Sequence, residues 1–479
     1  MIPLTQEQFR DALRKGKGRA LLHVREFGCG GLEEDILHAC EQSIAYDTQI
    51  EGTRSGWMYE IVTDAGLVEA AKSRVLAALD RPIVEPYERF WDVAQLYCLA
   101  AAFAQDGHAD ARDAVYRKFD RKEFPEVSYG GFALIMADGL TGFLHAAGVV
   151  GDRIANEPDY WDGGECEYLF DEACKHLGQE TVTDALATAA EKNENCRAFH
   201  DAVQKHRDDE QKYKEEREEA KRQGKCWPSR KIPGAAVVLQ AIETSETIEA
   251  PGYDYPRMRL PGWGQTASEQ DVQTVFEHLL TEHRPEQLQR LFQIFYMRTM
   301  PRVDDRILQL AHTGPAEVRD ACLRALDRVT DKRVHQLGRE LLSQNSPPPE
   351  AIGLFRNNYE PQDHVLIESA LPRPGNGEQS DGDFINGIVL DLNKIADKAG
   401  PEFFNCLLWV YEHAPCAHCR ESAVRRMVDL QIAPQAILRE CLADSYEDTR
   451  KLAAAALAGT VLRIVSSERQ SPRHTSLMS

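Results

Sequence analysis

PAEVRDACLRALDRV, Pro315 to Val329, decides the fold, because it recurs. Laid on CAHCRESAVRRMVDL, which starts at Cys416, it matches Arg319 with Arg420, Asp320 with Glu421, Cys322 with Ala423, Leu323 with Val424, Arg324 with Arg425 and Leu326 with Met427. A third copy, YEDTRKLAAAALAG from Tyr446, sets Arg450 on Arg420, Ala453 on Ala423 and Leu457 on Met427. Each copy has an apolar stripe at helical spacing, small residues where a neighbouring helix approaches, and an acidic or polar start. Such a helix cannot bury its stripe alone and must stack on the next unit. Another block, PEQLQRLFQIFYMR from Pro285, resembles PEFFNCLLWVYEHA from Pro401, and each is expected to run into one of these helices.

EVRDACLRAL, Glu317 to Leu326, and DTRKLAAAAL, Asp448 to Leu457, resemble the HEAT and HEAT-like (phycobilisome-lyase-type) repeat family. The second helix of such a repeat carries a pattern like acidic-x-Val-Arg-x-x-Ala-x-x-Ala-Leu. HCRESAVRRM departs from it, with Cys419 in place of Val and Arg426 in place of the second Ala, and ADARDAVYRKF around Arg112 is a fainter echo. The resemblance is firmest from Pro285 to Gly459 and implies an α-solenoid of stacked antiparallel helix pairs.

The rest of the chain has helical texture. ERFWDVAQLYCLAAAFAQDG places Phe90, Val93, Ala94, Tyr97, Cys98, Ala101 and Ala102 on one stripe and ends at Gly107, suited to a left-handed cap. Strand-like runs are scarce, and AAVVLQAIETSETI from Ala235 reads equally as a helix followed by a loop. The expected fold class is all-α. HRDDEQKYKEEREEAKR pairs Asp208 with Lys212 and Glu210 with Lys214 at i to i+4 spacing, as in a solvated helix or a projecting arm. It ends in KRQGKCWPSRKIPG, a short basic patch around Trp227. The expected organisation is a helical domain over 1–185, a charged arm and basic loop over 186–234, repeats over 235–465 and a disordered tail over 466–479.

Composition narrows the function classes. Of 479 residues, 43% are hydrophobic and 28% charged, as in a folded chain. Lys and Arg number 56 against 77 Asp and Glu, a net charge of −21, which repels phosphate backbones and anionic membranes. A protein partner with a basic or mixed surface fits this balance, and nucleic acid does not. MIPLTQEQFRDALRKGKGR reads as a polar first helix, capped by Thr5 with Gln8 three residues on, rather than as a signal peptide. The most apolar window, Gly130 to Gly151, holds Asp138, His145 and several glycines, so it reads as two buried helices and a turn rather than a membrane span. Twelve cysteines in so long a chain are expected as reduced thiols in the cytoplasm.

Catalytic signatures fail to appear. There is no G-x-x-x-x-G-K-[ST], H-E-x-x-H or G-x-S-x-G, and GCGGLEEDIL from Gly28 reads as a helix start. Asp381 and Asp383 in SDGDF lack the spaced oxygens of an EF-hand. In HAPCAHCRESAVRRM, the metal candidates are His413, Cys416, His418 and Cys419. They offer one C-x-x-C half-site with no second, and Cys419 aligns with Val318 and Thr449, so the segment reads first as a turn and helix start. No cofactor is expected.

Two aromatic stretches, Ser43 to Ile61 and Glu157 to Cys174, carry residue types common at interfaces. In the first, Trp57 and Ile61 read as core and Arg54 as solvated; the second reads as an inter-helix loop. The expected function is a non-enzymatic interaction scaffold. The alternative is an enzyme on a HEAT-like scaffold, of lyase or nucleic-acid glycosylase type, for which the resemblance leaves room.

Overall fold

The computed structural model describes residues 2–83, 90–123, 127–157, 160, 163–223, 232–244, 248–249, 257–372 and 382–459. Trp227 with Lys225, Arg230 and Lys231 of the basic patch, Asp381 and the 466–479 tail lie outside them; Lys221 and Arg222 of that patch are described. The described chain is helical apart from one antiparallel pair of two-residue strands, β1 (Ile248–Glu249) and β2 (Arg257–Met258), with Ile248 opposite Met258. It forms two compact units.

Unit 1 comprises Met1–Gly224, Cys416–His418 and Ala436–Ala453. Its helices run α1 (Gln6–Lys15), α2 (Gly18–Phe27), α3 (Glu33–Glu41), α4 (Thr48–Glu51), α5 (Ser55–Asp64), α6 (Val68–Leu79), α7 (Phe90–Gln105), α8 (Ala109–Asp120), α9 (Val127–Asn156), α10 (Gly163–Leu177), α11 (Gln179–Lys192) and α12 (Glu194–Arg222). The first opens with the expected capping box: the Gln8 amide N–H donates to Thr5 Oγ1 at 3.3 Å, and the Thr5 N–H donates to Gln8 Oε1 at 3.0 Å. After α7, Gly107 takes φ +93°, which has little steric cost without a Cβ.

The core of unit 1 is organised on α9, which packs against α7, α8, α10, α11 and α12. Ser128–Asn156 is long and apolar enough by composition to cross a membrane. It is two helices meeting at Asp138 and Gly139, where φ is −145° and +58°. A Cβ at Gly151 would stand 1.7 Å from the Asn195 carbonyl oxygen, so glycine there lets α9 meet the start of α12. Phe143, fully buried, lies against Phe170 and Phe199 with ring centroids 6.4 and 6.1 Å away.

Unit 2 comprises Lys225–Pro415, Cys419–Gln435 and Ala454–Ser479. The chain continues through α13 (Ala235–Glu243), α14 (Leu260–Thr266), α15 (Glu269–Leu279), α16 (Pro285–Gln293), α17 (Asp305–Thr313), α18 (Ala316–Leu326), α19 (Lys332–Leu342), α20 (His364–Ala370), α21 (Gly382–Ala396), α22 (Phe404–His413), α23 (Ala417–Asp429), α24 (Gln435–Cys441) and α25 (Glu447–Leu457). A 3-10 segment, Pro349–Phe355, follows α19. Within unit 2, α17, α19, α20 and α22 pack side by side in succession; so do α16, α18, Pro349–Phe355 and α21. Contacts of α17 with α18, α19 with Pro349–Phe355, and α21 with α22 tie the two successions together.

The recurring stripe has one physical role in its three copies. Cys322, Ala423 and Ala453, the aligned small residues, are each 0% exposed. Val318, Cys419 and Thr449 are likewise buried, and Leu326 and Met427 with them, whereas Leu457, at the end of α25, is 38% exposed. One expectation is corrected. α22 does lead into α23, but α17 lies between the Pro285 helix and α18, started by Asp304, whose carboxylate accepts from the Arg306 N–H at 3.0 Å.

Residues 436–453, most of α24 and the first part of α25, fold as a hairpin against α1, α2 and α5 as part of unit 1. Trp57 Nε1 donates to the Ala443 carbonyl at 2.9 Å, and the Ser445 N–H donates to the Gly16 carbonyl at 2.9 Å. Arg19 Nε pairs with Glu440 at 2.7 Å, and Arg450 Nη1 with Glu60 at 2.6 Å. Gly16 takes φ +69° as the cap of α1, and a Cβ on Gly18 would stand 1.9 Å from the Glu440 carbonyl oxygen.

Candidate functional site

The four candidate metal ligands fall around one turn. His413 is the last residue of α22, Cys416 immediately precedes α23, and His418 and Cys419 lie in its first turn. Cys416 is 1% exposed and Cys419 8%. The Cys419 carbonyl accepts from Asn393 Nδ2 at 3.0 Å. The imidazoles engage different aromatics: His413 lies 4.9 Å from the Trp409 ring, and His418 6.0 Å from that of Tyr446. Among the described residues no group of three or more His, Cys, Asp or Glu side chains is placed to hold a metal ion. The described cysteines form no disulfide, and burial pushes the Cys40 thiol up to about 12 and raises those of Cys322 and Cys406.

Both aromatic stretches read differently in three dimensions. Trp57 and Ile61 are buried, as expected. Arg54 is not solvated: it is 5% exposed, pairs with the equally buried Glu51, and donates from Nη1 to the Arg14 carbonyl at 2.6 Å. A charge can be sequestered there because Glu51 and the end of α1 supply its acceptors. In the second stretch everything from Gly163 onward is α10 rather than loop, because Cys166, Leu169, Phe170 and Ala173 recur at helical spacing and are buried. Tyr168 on the same helix is 52% exposed.

The charged segment is the second half of α12. Up to Val203 the helix buries Cys196, Phe199, Ala202 and Val203. Arg207 then joins it to α10 through Glu167 at 2.9 Å and Asp171 at 2.7 Å. Every residue over 208–219 is exposed, and the expected pair of Glu210 with Lys214 closes at 2.6 Å.

A groove of about 310 Å³ lies among Lys122, His145, Gly148, Asp152, Asn193 and Asn195. His145 Nε2 is 2.6 Å from Asp120 Oδ1, and its ring packs edge-on to Tyr116 at 4.8 Å. Tyr116 donates to Asp138 Oδ2 at 2.8 Å, and burial raises the phenol. Lys122 is paired with Asp152, and Asn193 Oδ1 caps α12 by accepting from the Asn195 N–H at 2.8 Å. Leu144 and Val149 complete the lining, so the wall is mixed, and its Lys122 and Asp152 are paired with each other.

Among the ionic clusters described in unit 2, two hold a strongly shifted carboxyl. Arg356 bridges Asp327, at 2.9 Å, and Asp391; burial pushes the Asp391 carboxyl up to about 6 and also raises Asp327. Glu282 is held down to about 2, first by the Arg284 guanidinium and then by the main-chain N–H groups of Arg284 and His283. Arg356 thereby ties the end of α18 to α21, and Arg284 also reaches Glu243 at the end of α13 at 2.6 Å.

Sequence reading misses an exposed apolar stripe on α21. Phe384, Gly387 and Leu390 share one face; the two large side chains are 37% and 47% exposed, and nothing lies within 4 Å of a Cβ placed on Gly387. The signal is the doubled apolar content of INGIVLDL, but only the packing of Ile385, Ile388, Val389 and Leu392 inward shows which residues are left outside. Charges of both signs lie on this succession: Glu286 and Arg290 on α16, Glu317, Arg319, Asp320 and Arg324 on α18, Asp383 and Lys394 on α21. Comparison with protein-family models and with curated protein sequences finds no match to this chain.

Proposed function

We propose that the chain is a non-enzymatic protein-interaction scaffold of the cytoplasm, an α-solenoid with HEAT-like repeats whose helix faces receive a protein partner. The observation that carries this reading is the paired succession of helices in unit 2, which keeps the recurring stripe inward and leaves Phe384 and Leu390 of α21 outward. Faces built on packed helices are formed before binding, so little ordering entropy opposes association. The mixed charge along α16, α18 and α21 suits a partner of mixed or basic surface, and among the described residues these helices lack the continuous Lys and Arg lining that a nucleic acid calls for.

Affinity purification with cross-linking at several salt concentrations tests the reading, comparing the wild type with Phe384→Ser/Leu390→Ser. The expected result is a stoichiometric partner cross-linked near α21 and lost from the variant. Recovery of no such partner, or of one indifferent to both substitutions, would overturn it. The second reading, an enzyme on the same kind of scaffold, draws on the groove beside His145. A small molecule that shifts hydrogen exchange around His145 in wild type, but not in His145→Ala, would favour it.

A further inference from the structure

The α24–α25 hairpin is held by groups that any identical chain presents. Its fixing points are Arg19 with Glu440, Trp57 with the Ala443 carbonyl, Gly16 with the Ser445 N–H, and Glu60 with Arg450. Directional polar bonds dominate these points, and the apolar contribution of residues 436–453 is small: Leu438, Cys441, Ala443, Leu452 and Ala453. Ser445 Oγ and Thr449 Oγ1 are buried there without a hydrogen-bond partner, so part of the polar surface is desolvated uncompensated. The dock is specific in geometry and modest in driving force.

The connection into the hairpin is strained and accessible. Gln431 follows α23 at φ +59°, where glycine is the usual residue because a Cβ crowds the backbone. Its N–H reaches the Val428 carbonyl at 3.0 Å and that of Ile432 the Met427 carbonyl at 2.9 Å, and these bonds hold Gln431 in that conformation where the chain turns off α23. None of residues 430–434 is buried, and Pro434 precedes α24. Short connections under strain favour exchange of the element they carry, since the exchanged form regains every contact and differs only at the hinge.

We propose that the chain from Ala436 onward is an exchangeable element: the surface of α1, α2 and α5 accepts residues 436–453 from a second copy of this chain, with the rest of α25 carried along, giving a reciprocal dimer hinged at 430–434. The occupant is a second copy because the surface is cut to this hairpin. Gly18 admits the Glu440 carbonyl to a distance that any larger residue would block, and Trp57, Arg19 and Glu60 each meet a matched group on it.

Charge reversal at one pair tests this directly. Full-length Arg19→Glu and Glu440→Arg each place like charges together in the closed monomer and in either homodimer. In a reciprocal heterodimer of the two variants, the carboxylate introduced by Arg19→Glu in one chain would meet the guanidinium introduced by Glu440→Arg in the other. The second site of that heterodimer would keep the native pair. Native mass spectrometry of the concentrated equimolar mixture is expected to show a heterodimer at least about tenfold in excess of either homodimer. The double variant Arg19→Glu/Glu440→Arg is expected to regain wild-type hydrogen exchange over 436–453, showing that the surface folds with the reversed pair. In the wild type, Gln431→Gly, which relieves the hinge, is expected to lower the dimer fraction. A mixture that stays monomeric while the double variant folds, or a dimer fraction that Gln431→Gly leaves unchanged, would overturn the proposal.

Discussion

Replacing Arg54 by Met removes a charge from the interior of unit 1 while keeping most of the stem volume. Arg54 and Glu51 have side chains 4% and 1% exposed and face one another three residues apart, and Arg54 Nη1 also serves the carbonyls of Arg14 and Leu13 at 2.6 and 3.4 Å. With the guanidinium gone, Glu51 becomes an uncompensated buried charge, a situation that costs about 3–5 kcal/mol. The abandoned Arg14 carbonyl adds roughly 1 kcal/mol. Against total stabilities of about 5–15 kcal/mol this is a large fraction. The double variant Glu51→Gln/Arg54→Met removes both charges and is expected to recover about 2–3 kcal/mol relative to the single variant. Urea unfolding gives the free energies, and amide exchange in α1 and α5 gives the local response, with protection falling first at α5. An Arg54→Met protein within about 1 kcal/mol of wild type, or a double variant no more stable than it, would refute a buried and structurally required ion pair.

Other perturbations have equally definite outcomes. Glu282 and Asp391 have opposite linkage: the depressed carboxyl of Glu282, near 2 against an ordinary 4.5, contributes stability that is complete above pH 4.5 and is lost as pH falls through 2, up to about 3 kcal/mol. Asp391, near 6 when folded against 3.8, keeps a proton that the unfolded chain releases, so stability falls as pH rises from about 4 to 6 and is level above, again by about 3 kcal/mol at most. Urea midpoints measured from pH 2 to 8 should lose the first slope in Glu282→Gln and the second in Asp391→Asn. Gly18→Ala, which sets a Cβ 1.9 Å from the Glu440 carbonyl, should speed amide exchange over 436–453 about tenfold or more while α7 and α9 stay protected. Glu216→Pro, in the exposed run of α12, should remove distal helicity by circular dichroism with under about 1 kcal/mol change in global stability, whereas Ala202→Pro, at a buried position, should cost about 3 kcal/mol or more.

Local rules read correctly where the interaction is local. The Thr5 capping box, the start of α3 after GCGGL, the Gly107 cap, a turn between two helices somewhere within Gly130 to Gly151, and the pair of Glu210 with Lys214 each involve residues within one or two turns. The aligned Cys322, Ala423 and Ala453 are legible too, because helical periodicity marks a buried stripe whatever covers it. Arg54 is not legible, since its acceptors at Arg14 and Leu13 are distant in sequence and nothing local announces them. α17 escapes sequence reading because its own stripe is short and the resemblance of the Pro285 and Pro401 blocks hides the insertion.

The sequence by itself determined an all-helical chain, its caps and breaks, and which residue of each recurring helix would be innermost. These follow from backbone hydrogen bonding and the 3.6-residue period, which act over a few residues. Only the tertiary structure decided what each stripe packs against: that Cys416 and Cys419 flank the start of α23 in buried surroundings, that Phe384 and Leu390 of α21 face outward, and that residues 436–453 close onto α1, α2 and α5. Apolar burial is non-directional, so a stripe specifies that it will be covered without specifying by what. That choice is made by the few directional contacts that fit a single partner, such as the Trp57 indole on the Ala443 carbonyl and the bare Gly18 beneath Glu440.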